Sequence, residues 1–141
     1  MSRFADKTVM VTGAGSGIGK ACAQRIAAEG GAVFCVDINS DALDATVSEI
    51  VSNGGRASAR VCDVSREKVV QAGVDTCIEQ FGGLYALVNM AGILRFDDSE
   101  QLQTDNWQRV IDINLTGTMY LCRSVLPHLI ESGGSIVNAA S

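Results

Sequence analysis

The segment TGAGSGIG at residues 12–19 has the composition of a turn that can bind phosphate. It follows a short apolar run and precedes a stretch of helix-forming residues. Glycines in such a turn allow a tight bend, close approach of backbone N–H groups to a diphosphate, and close packing of helix on strand. The spacing is Gly13-x-x-x-Gly17-x-Gly19, because Ile18 takes the last position of GxGxxG. The alternative is a glycine-rich turn without a ligand, which the strand–turn–helix context disfavours.

Asp37 ends the second apolar run, and its carboxylate could accept hydrogen bonds from both hydroxyls of an adenosine ribose. It would repel a 2′-phosphate: at ~5 Å and an effective dielectric of about 20, the repulsion is several kcal/mol before screening. Residues 38–41 contain no arginine or lysine that could bind such a phosphate. Asp37 therefore predicts NAD rather than NADP, if its side chain points into the site. A solvated aspartate at a strand end is the alternative.

Strand-like and helix-like runs alternate along the chain, separated by short glycine turns. Helical spacing of apolar residues predicts a helix over 21–28 and three more that Ser40, Ser65 and Thr104 cap. Pro127 predicts a kink or an early end in the last of these. The predicted strands are 8–11, 32–36, 56–61, 84–88 and 136–137. This alternation predicts βαβ crossovers and a parallel sheet in one α/β domain, residues 1–141.

The overall composition is that of a soluble globular protein, with 47% hydrophobic and 19% charged residues. The net charge of −5 without a Lys/Arg cluster disfavours a nucleic-acid or anionic-membrane partner. The sequence contains no run of 18 apolar residues, so it predicts no membrane span. The five cysteines form no CxxC motif, so we expect reduced cysteines in a cytoplasmic protein. Because the only histidine is His128, we expect no metal site.

Five motifs, in this order, resemble those of the short-chain dehydrogenase/reductase family. They are TGAGSGIG at 12–19, CDVS at 62–65, NMAG at 89–92, IDINLTG at 111–117 and SIVNAAS at 135–141. The chain departs from the family's NNAG pattern at Met90, which replaces the second asparagine. The resemblance implies a Rossmann-type doubly wound parallel sheet, with strands 1–5 of the usual seven in the order 3-2-1-4-5.

The resemblance also implies roles for individual residues. Asp63 would accept a hydrogen bond from the adenine amino group, and Ser141 would position the substrate carbonyl as a catalytic residue. Asn114 would be the second catalytic residue: the helix loosens there, and its main-chain carbonyl holds a water in a proton relay. The implied cofactor-binding residues are Gly13, Ser16, Gly17, Ile18, Gly19, Asp37, Asp63, Val64, Asn89, Ala91 and Gly92.

Three of these residues have structural alternatives. Asp63 could cap the turn before the helix at Ser65. Asn89 could tie strand backbones together, and we favour that role for it. Ser141 could be only a polar residue at a strand end.

The family's Tyr-x-x-x-Lys pair, in which the tyrosine is the general acid/base, is not found in these residues. Neither Tyr85 nor Tyr120 has a lysine four positions later. The resemblance therefore implies that the 141 residues are the N-terminal part of a longer enzyme and are inactive alone. The fifth strand is expected to form a bare sheet edge.

We expect an NAD(H)-dependent oxidoreductase that interconverts a small-molecule secondary alcohol and a ketone. The resemblance implies that the complete protein is a homodimer or homotetramer, which assembles through the helix at 104–131 and through segments not found in these residues. Two alternatives remain open at this stage. One is a non-catalytic nucleotide-binding or interaction module, if the chain ends at Ser141. The other is a protein that binds another nucleotide or none.

Overall fold

The computed structural model describes residues 2–141, in which five strands alternate with helices. The main elements are β1 (Thr8–Thr12), α1 (Gly17–Ala28), β2 (Ala32–Asp37), α2 (Ser40–Ser52), β3 (Arg56–Val61), α3 (Glu67–Phe81), β4 (Ala86–Asn89), α4 (Thr104–Ile111), α5 (Gly117–Ser132) and β5 (Ser135–Asn138). A short 3₁₀ turn at Ser99–Gln101 precedes α4, and a π-helical segment at Asp112–Thr116 joins α4 to α5.

All neighbouring strands are parallel, and their order is β3-β2-β1-β4-β5. The α/β Rossmann-type fold and the strand order predicted from the sequence are therefore confirmed. β1 lies between β2 and β4. The chain therefore adds β2 and β3 on one side of β1 first, and then β4 and β5 on the other side. In such a sheet, this reversal opens a crevice at the carboxyl ends of the strands, where ligands bind.

Both faces of the sheet are buried beneath helices. Met10 and Leu87 belong to a cluster that includes apolar residues of α3 and α5. Val9 and Val33 belong to a second cluster, formed with α1 and α2. Adjacent β1 residues thus point to opposite faces, as the two-residue period of a strand requires. Burial on both sides explains why β1 and β2 are almost continuously apolar.

Two helix starts differ from the prediction because other residues satisfy the local hydrogen bonds. The cap of α2 is Asn39 and not Ser40, since the Asn39 side chain accepts from the amide of Ala42 at 3.0 Å. α3 begins at Glu67, and Ser65 does not cap it. The Ser65 hydroxyl instead donates to Asp63 in the preceding turn.

Two further element starts also differ. Thr104 is the first residue of α4 rather than its cap. α1 begins at Gly17, four residues before the predicted start.

The long helix predicted from Thr104 onwards is interrupted, but not at Pro127. The chain widens into a π-helical turn at Asp112–Thr116, and α5 then continues through Pro127 to Ser132. A π turn adds one residue and rotates the helical face that follows. Four large apolar side chains in this region are exposed: Trp107, which precedes the π turn, Leu115 within it, and Met119 and Leu126 after it.

The five cysteines are unpaired. Cys35, Cys62 and Cys77 are buried, and burial raises the pKa of Cys35 and of Cys77 to about 12. These two thiols therefore remain protonated near neutral pH. Within residues 2–141, no helix has the length and apolar character needed to cross a membrane.

Glu29 anchors the N-terminal segment to the end of α1. Its side chain is only 6% exposed and forms ion pairs with Arg3 and Arg25. The backbone amide of Phe4 also donates to the carbonyl of Glu29 at 3.1 Å. The hydrogen bonds from Arg3 and then Arg25 lower the pKa of Glu29 from 4.5 to about 2. A carboxylate after the last turn of a helix is disfavoured by the helix dipole, so the two guanidinium groups offset an unfavourable position.

We expect Glu29→Gln to lower the melting temperature at neutral pH, because it removes the charge that both arginines bind. The pKa of Glu29 is lowered by folding, so its contribution is present above the unfolded pKa and is lost as the pH falls through the folded pKa. The difference between wild type and variant should shrink between pH 4.5 and about 2. Thermal melts across this range measure it, with the exposed Glu79→Gln as control. A difference that does not change with pH would contradict this account.

Candidate functional site

A cleft of about 400 Å³ opens at the carboxyl ends of β1, β2 and β4. Most of the predicted cofactor-binding residues line it: Gly13, Ser16, Gly17, Ile18, Gly19, Asp37, Asp63, Val64, Ala91 and Gly92. Residues that were not predicted line it as well: Val36, Ile38, Cys62, Met90, Ile93, Ile113 and Ala139. The structure thus brings residues of all five motifs to one crevice. Asn89, Asn114 and Ser141 are not part of its lining.

The glycine turn is held against the tip of β4 by backbone contact. Gly13 has φ +65°, in the region that favours glycine. A methyl carbon placed on Gly13 would lie 2.9 Å from the carbonyl oxygen of Met90. One placed on Gly19 would lie 2.1 Å from the carbonyl oxygen of Gly13. The loop therefore presents backbone, and not side chains, to this part of the cleft.

The first turn of α1 is available to an anion. Ser16 precedes the helix in an extended conformation, and its side chain makes no capping hydrogen bond. The first turn contains no acidic residue. The first N–H groups of a helix have no partner within the helix, and their dipole favours negative charge. Gly17 and Gly19 lack side chains, and the side chain of Ile18 is exposed to solvent. A phosphate can therefore approach the N–H groups at this helix end.

Asp37 points into the cleft and is fixed by two backbone amides. Its Oδ2 accepts from the amide of Gly15 at 2.9 Å, and its Oδ1 accepts from the amide of Asn39 at 3.1 Å. A methyl carbon on Gly15 would lie 2.9 Å from Asp37 Oδ2, so a side chain there would displace the carboxylate. Each carboxylate oxygen has a further lone pair and can accept another donor.

Asp63 closes a turn and also lines the cleft. Its Oδ1 accepts from the amide of Ser65 at 3.0 Å and from the Ser65 hydroxyl at 2.6 Å, which closes the turn before α3. The carboxylate also lines the cleft. Partial burial alone would raise the pKa of Asp63, but the hydrogen bonds from Ser65 and the charge of Arg109 together lower it. Asp63 is therefore ionised at neutral pH and can only accept hydrogen bonds.

Asn89 ties the ends of three strands together. The hydroxyl of Thr12 donates to Asn89 Oδ1 at 2.9 Å, and Asn89 Nδ2 donates to Asn138 Oδ1 at 3.4 Å. The same Thr12 oxygen accepts from the amides of Met90 and Ala91. Thr12 and Asn89 are both buried. The contacts of Asn89 in the structure are thus those of the strand-linking role that we favoured.

Thr12 was not singled out from the sequence. Its only signal was a hydroxyl at the end of an apolar strand, just before the glycine turn.

Asn114 holds the segment after β4 against the π-helical turn. Its Oδ1 accepts from the amide of Ile93, and its Nδ2 donates to the carbonyl of Ile93, both at 2.8 Å. The predicted loosening of the helix is observed here. The main-chain carbonyl of Asn114 accepts from the Thr118 hydroxyl at 2.8 Å.

Asn114 is exposed, and the backbone of Ile93 is the hydrogen-bonding partner of its side chain.

Ser141 lies in irregular, exposed chain beyond the end of β5. The neighbouring chain is attached to the sheet, because the amide of Ala139 donates to the carbonyl of Asn89 at 3.2 Å. No group of three or more His, Cys, Asp or Glu side chains suited to a metal ion occurs in the part of the chain that the structure describes.

The parallel sheet and its glycine-lined cleft define a member of the Rossmann-type α/β class. A family model for the short chain dehydrogenase matches residues 7–141, and the chain belongs to this family. It is 39% identical over 142 aligned positions to a cyclohexanol dehydrogenase of Acinetobacter sp., covering 99% of this chain and 57% of that protein. It is 37% identical over 140 positions to a D-threitol dehydrogenase of Mycolicibacterium smegmatis, covering 99% and 54%.

Solved structures agree with this assignment. A short-chain type dehydrogenase/reductase from Mycobacterium ulcerans matches with a TM-score of 0.93 at 34% identity, covering 98% of this chain and 52% of that one. A dehydrogenase/reductase from Sinorhizobium meliloti matches with a TM-score of 0.93 at 36% identity, covering 98% and 55%. The chain therefore spans about half the length of the relatives that it matches.

We expect Gly19→Ala to destabilise the protein strongly, because the added methyl would meet the Gly13 carbonyl at 2.1 Å. Overpacking of this kind costs about 1–3 kcal/mol or more. The matched control is Gly73→Ala in α3, where an added methyl would meet nothing within 4 Å. That change should be neutral or stabilise by up to ~1 kcal/mol. Urea denaturation of both variants gives the comparison, and equal effects would contradict the close contact.

Proposed function

We propose that the chain binds NAD in the cleft, and that it supplies the cofactor-binding half of an oxidoreductase acting on secondary alcohols and ketones. The observation that carries the proposal is that one cleft contains both a helix start with two glycines and no acidic residue, and the fixed carboxylate of Asp37. The volume of about 400 Å³ is within the usual range for small-molecule sites. Family membership and the names of the relatives support the type of reaction.

The lining residues fit the parts of a dinucleotide. Backbone N–H groups at the start of α1 would bind the diphosphate, and Asp37 would accept from the adenosine ribose. Asp63 would accept from the adenine amino group, with Val64 and Ile113 against the ring. Ala91 and Gly92, which carry little or no side chain, would leave room for the nicotinamide half. The backbone lining beside Gly13, where an added methyl carbon would lie 2.9 Å from the Met90 carbonyl oxygen, is consistent with this fit.

When bound, the dinucleotide supplies the acceptor for the hydride that an alcohol loses. The chain's own contribution is orientation, together with donors near the oxygen that gains negative charge. We propose that the Ser141 hydroxyl positions the substrate oxygen, and that the main-chain carbonyl of Asn114 holds a water that moves protons. Neither Tyr85 nor Tyr120 precedes a lysine by four residues, so residues 1–141 contain no Tyr-x-x-x-Lys pair.

We also propose small alcohols or ketones as substrates, a cytoplasmic location, and a homodimer or homotetramer. The exposed apolar residues Trp107, Leu115 and Met119, on and after α4, support assembly through this surface. Unpaired cysteines support a reducing compartment. Sedimentation equilibrium showing a single-chain mass at every concentration would contradict the assembly.

Asp37→Ser should reverse the cofactor preference, because it removes the negative charge that would face a 2′-phosphate. We expect the ratio of NAD affinity to NADP affinity to fall about 100-fold, equivalent to ~2.7 kcal/mol. Calorimetric titration with both dinucleotides measures the ratio. The matched control is Asp41→Ser, an exposed aspartate in the first turn of α2 that does not line the cleft. An unchanged ratio in Asp37→Ser would exclude this residue as the selectivity determinant.

The reaction is tested by incubation with NAD and a panel of secondary alcohols, following NADH absorbance. Residues 1–141 alone should bind NAD but produce no NADH, because they lack the tyrosine–lysine pair. A polypeptide that carries these residues together with such a pair should oxidise at least one alcohol of the panel. Sustained turnover by the 141 residues alone would contradict the proposed role of that pair. NAD binding without turnover by the longer polypeptide, across a broad panel, would contradict the proposed reaction.

A further inference from the structure

Arg109, in the last turn of α4, reaches the turn between β3 and α3. Its Nη1 donates to the Ser65 hydroxyl at 3.0 Å, and its Nη2 lies 3.4 Å from Asp63 Oδ2. The Ser65 hydroxyl has one proton, which it donates to Asp63 Oδ1 at 2.6 Å. Its oxygen is therefore the acceptor for Arg109. The result is a directed chain of hydrogen bonds from Arg109 through Ser65 to Asp63.

The two carboxylate oxygens of Asp63 accept different numbers of hydrogen bonds. Oδ1 already accepts from the amide and the hydroxyl of Ser65. Oδ2 faces only Arg109, at a distance that is long for a hydrogen bond. Because the carboxylate lines the cleft, Oδ2 has the capacity to accept a ligand N–H group. Ser65 and Arg109 thus fix the carboxylate while leaving one acceptor available.

The contact between Arg109 and Asp63 contributes little to the stability of the fold. The side chains of Arg109 and Asp63 are 41% and 25% exposed, and exposed ion pairs contribute little to stability. The contact instead connects two elements that both border the cleft. Four residues after Arg109, Ile113 lines the same cleft as Asp63 and Val64. Arg109 therefore fixes the position of one cleft wall relative to the other.

We propose that Arg109, acting through Ser65, is a positioning residue that holds Asp63 as a hydrogen-bond acceptor for the 6-amino group of the cofactor's purine. This inference rests on the proposed binding of NAD in the cleft. An ionised carboxylate accepts from a 6-amino group but repels the oxygen of a 6-oxo group. The positioned carboxylate should therefore select adenine over hypoxanthine, and that selection should weaken when Arg109 is removed.

The experiment measures the affinities of the purified protein for NAD and for nicotinamide hypoxanthine dinucleotide by calorimetry. These ligands differ at position 6 of the purine, where an oxo group replaces the amino group, and at the adjacent N1, which carries a proton in hypoxanthine. Wild type should bind NAD about tenfold more tightly than the hypoxanthine analogue, as expected for a hydrogen bond to a charged group. Arg109→Met should reduce this preference several-fold, mainly by weakening NAD binding. Arg109→Lys, which retains the charge, should restore part of the preference.

The matched control is Arg123→Met. Arg123 pairs with Glu67 between α5 and the start of α3, and neither residue lines the cleft. This variant loses an arginine ion pair of similar exposure, and its base preference should equal that of wild type. Ser65→Ala provides a second test that leaves α4 unchanged. It removes the hydroxyl between Arg109 and Asp63, and it should also reduce the preference.

The outcomes distinguish this inference from the proposed function. A preference that falls in Arg109→Met and Ser65→Ala, but not in Arg123→Met, supports the positioning role. If Arg109→Met weakens both ligands by the same factor, or neither, the inference is overturned and Arg109 is only structural. A wild-type protein that binds both dinucleotides equally well also overturns the inference about Arg109, but it leaves the proposed NAD binding intact. Wild type that binds neither dinucleotide overturns the proposed function, and the inference with it.

Discussion

The site depends on the direct backbone contact between the turn after β1, the first residues of α1 and the tip of β4. Gly13 and Gly19 allow this contact, because a single added methyl carbon would lie 2.9 Å and 2.1 Å, respectively, from a carbonyl oxygen. Thr12 secures the same region by accepting from two amides that follow β4. With the backbones this close, the part of the crevice beside Gly13 and Gly19 is lined by backbone. Its shape follows from the absence of side chains at a few positions.

The charges around the cleft are arranged asymmetrically. The helix start offers unpartnered N–H groups and no carboxylate in its first turn. Asp37 and Asp63 lie at the ends of β2 and β3, on the other side of the crevice, and each is fixed by its own set of donors. An anion is favoured at the first position and repelled at the second. A ligand with a diphosphate next to an unphosphorylated adenosine matches this arrangement.

The sheet could be predicted from the sequence because its signals are local. Strand-like runs of two to six residues specified the strands to within about two residues, and their alternation with helices predicted a parallel sheet, whereas the strand order was implied by the family resemblance. The motifs that indicated the cleft lie at the strand ends for the same reason. Parallel strands place their carboxyl ends on one edge, so residues far apart in sequence converge there.

The features that were not predicted depend on contacts distant in sequence. The π-helical turn coincides with the pairing of Asn114 with Ile93, 21 residues away, and apolar periodicity alone indicated a continuous helix. The contact of Arg109 with Ser65 spans 44 residues and has no local signal. Pro127 was expected to disturb α5, but the helix continues beyond it. The carbonyl that loses a partner there belongs to the exposed Arg123, where water can replace the missing hydrogen bond.

The central claim is that the backbone of the first crossover binds the diphosphate of NAD. Amide chemical shifts recorded by nuclear magnetic resonance during addition of NAD test it most directly. The account predicts that the largest changes occur at residues 13–19, with further changes near Asp37, Asp63 and residues 90–93. A second groove is formed by the end of α5 and the start of β5, at residues 126–136. NAD binding that leaves the amides of 13–19 unchanged, and instead shifts the amides of this groove, would contradict the claim.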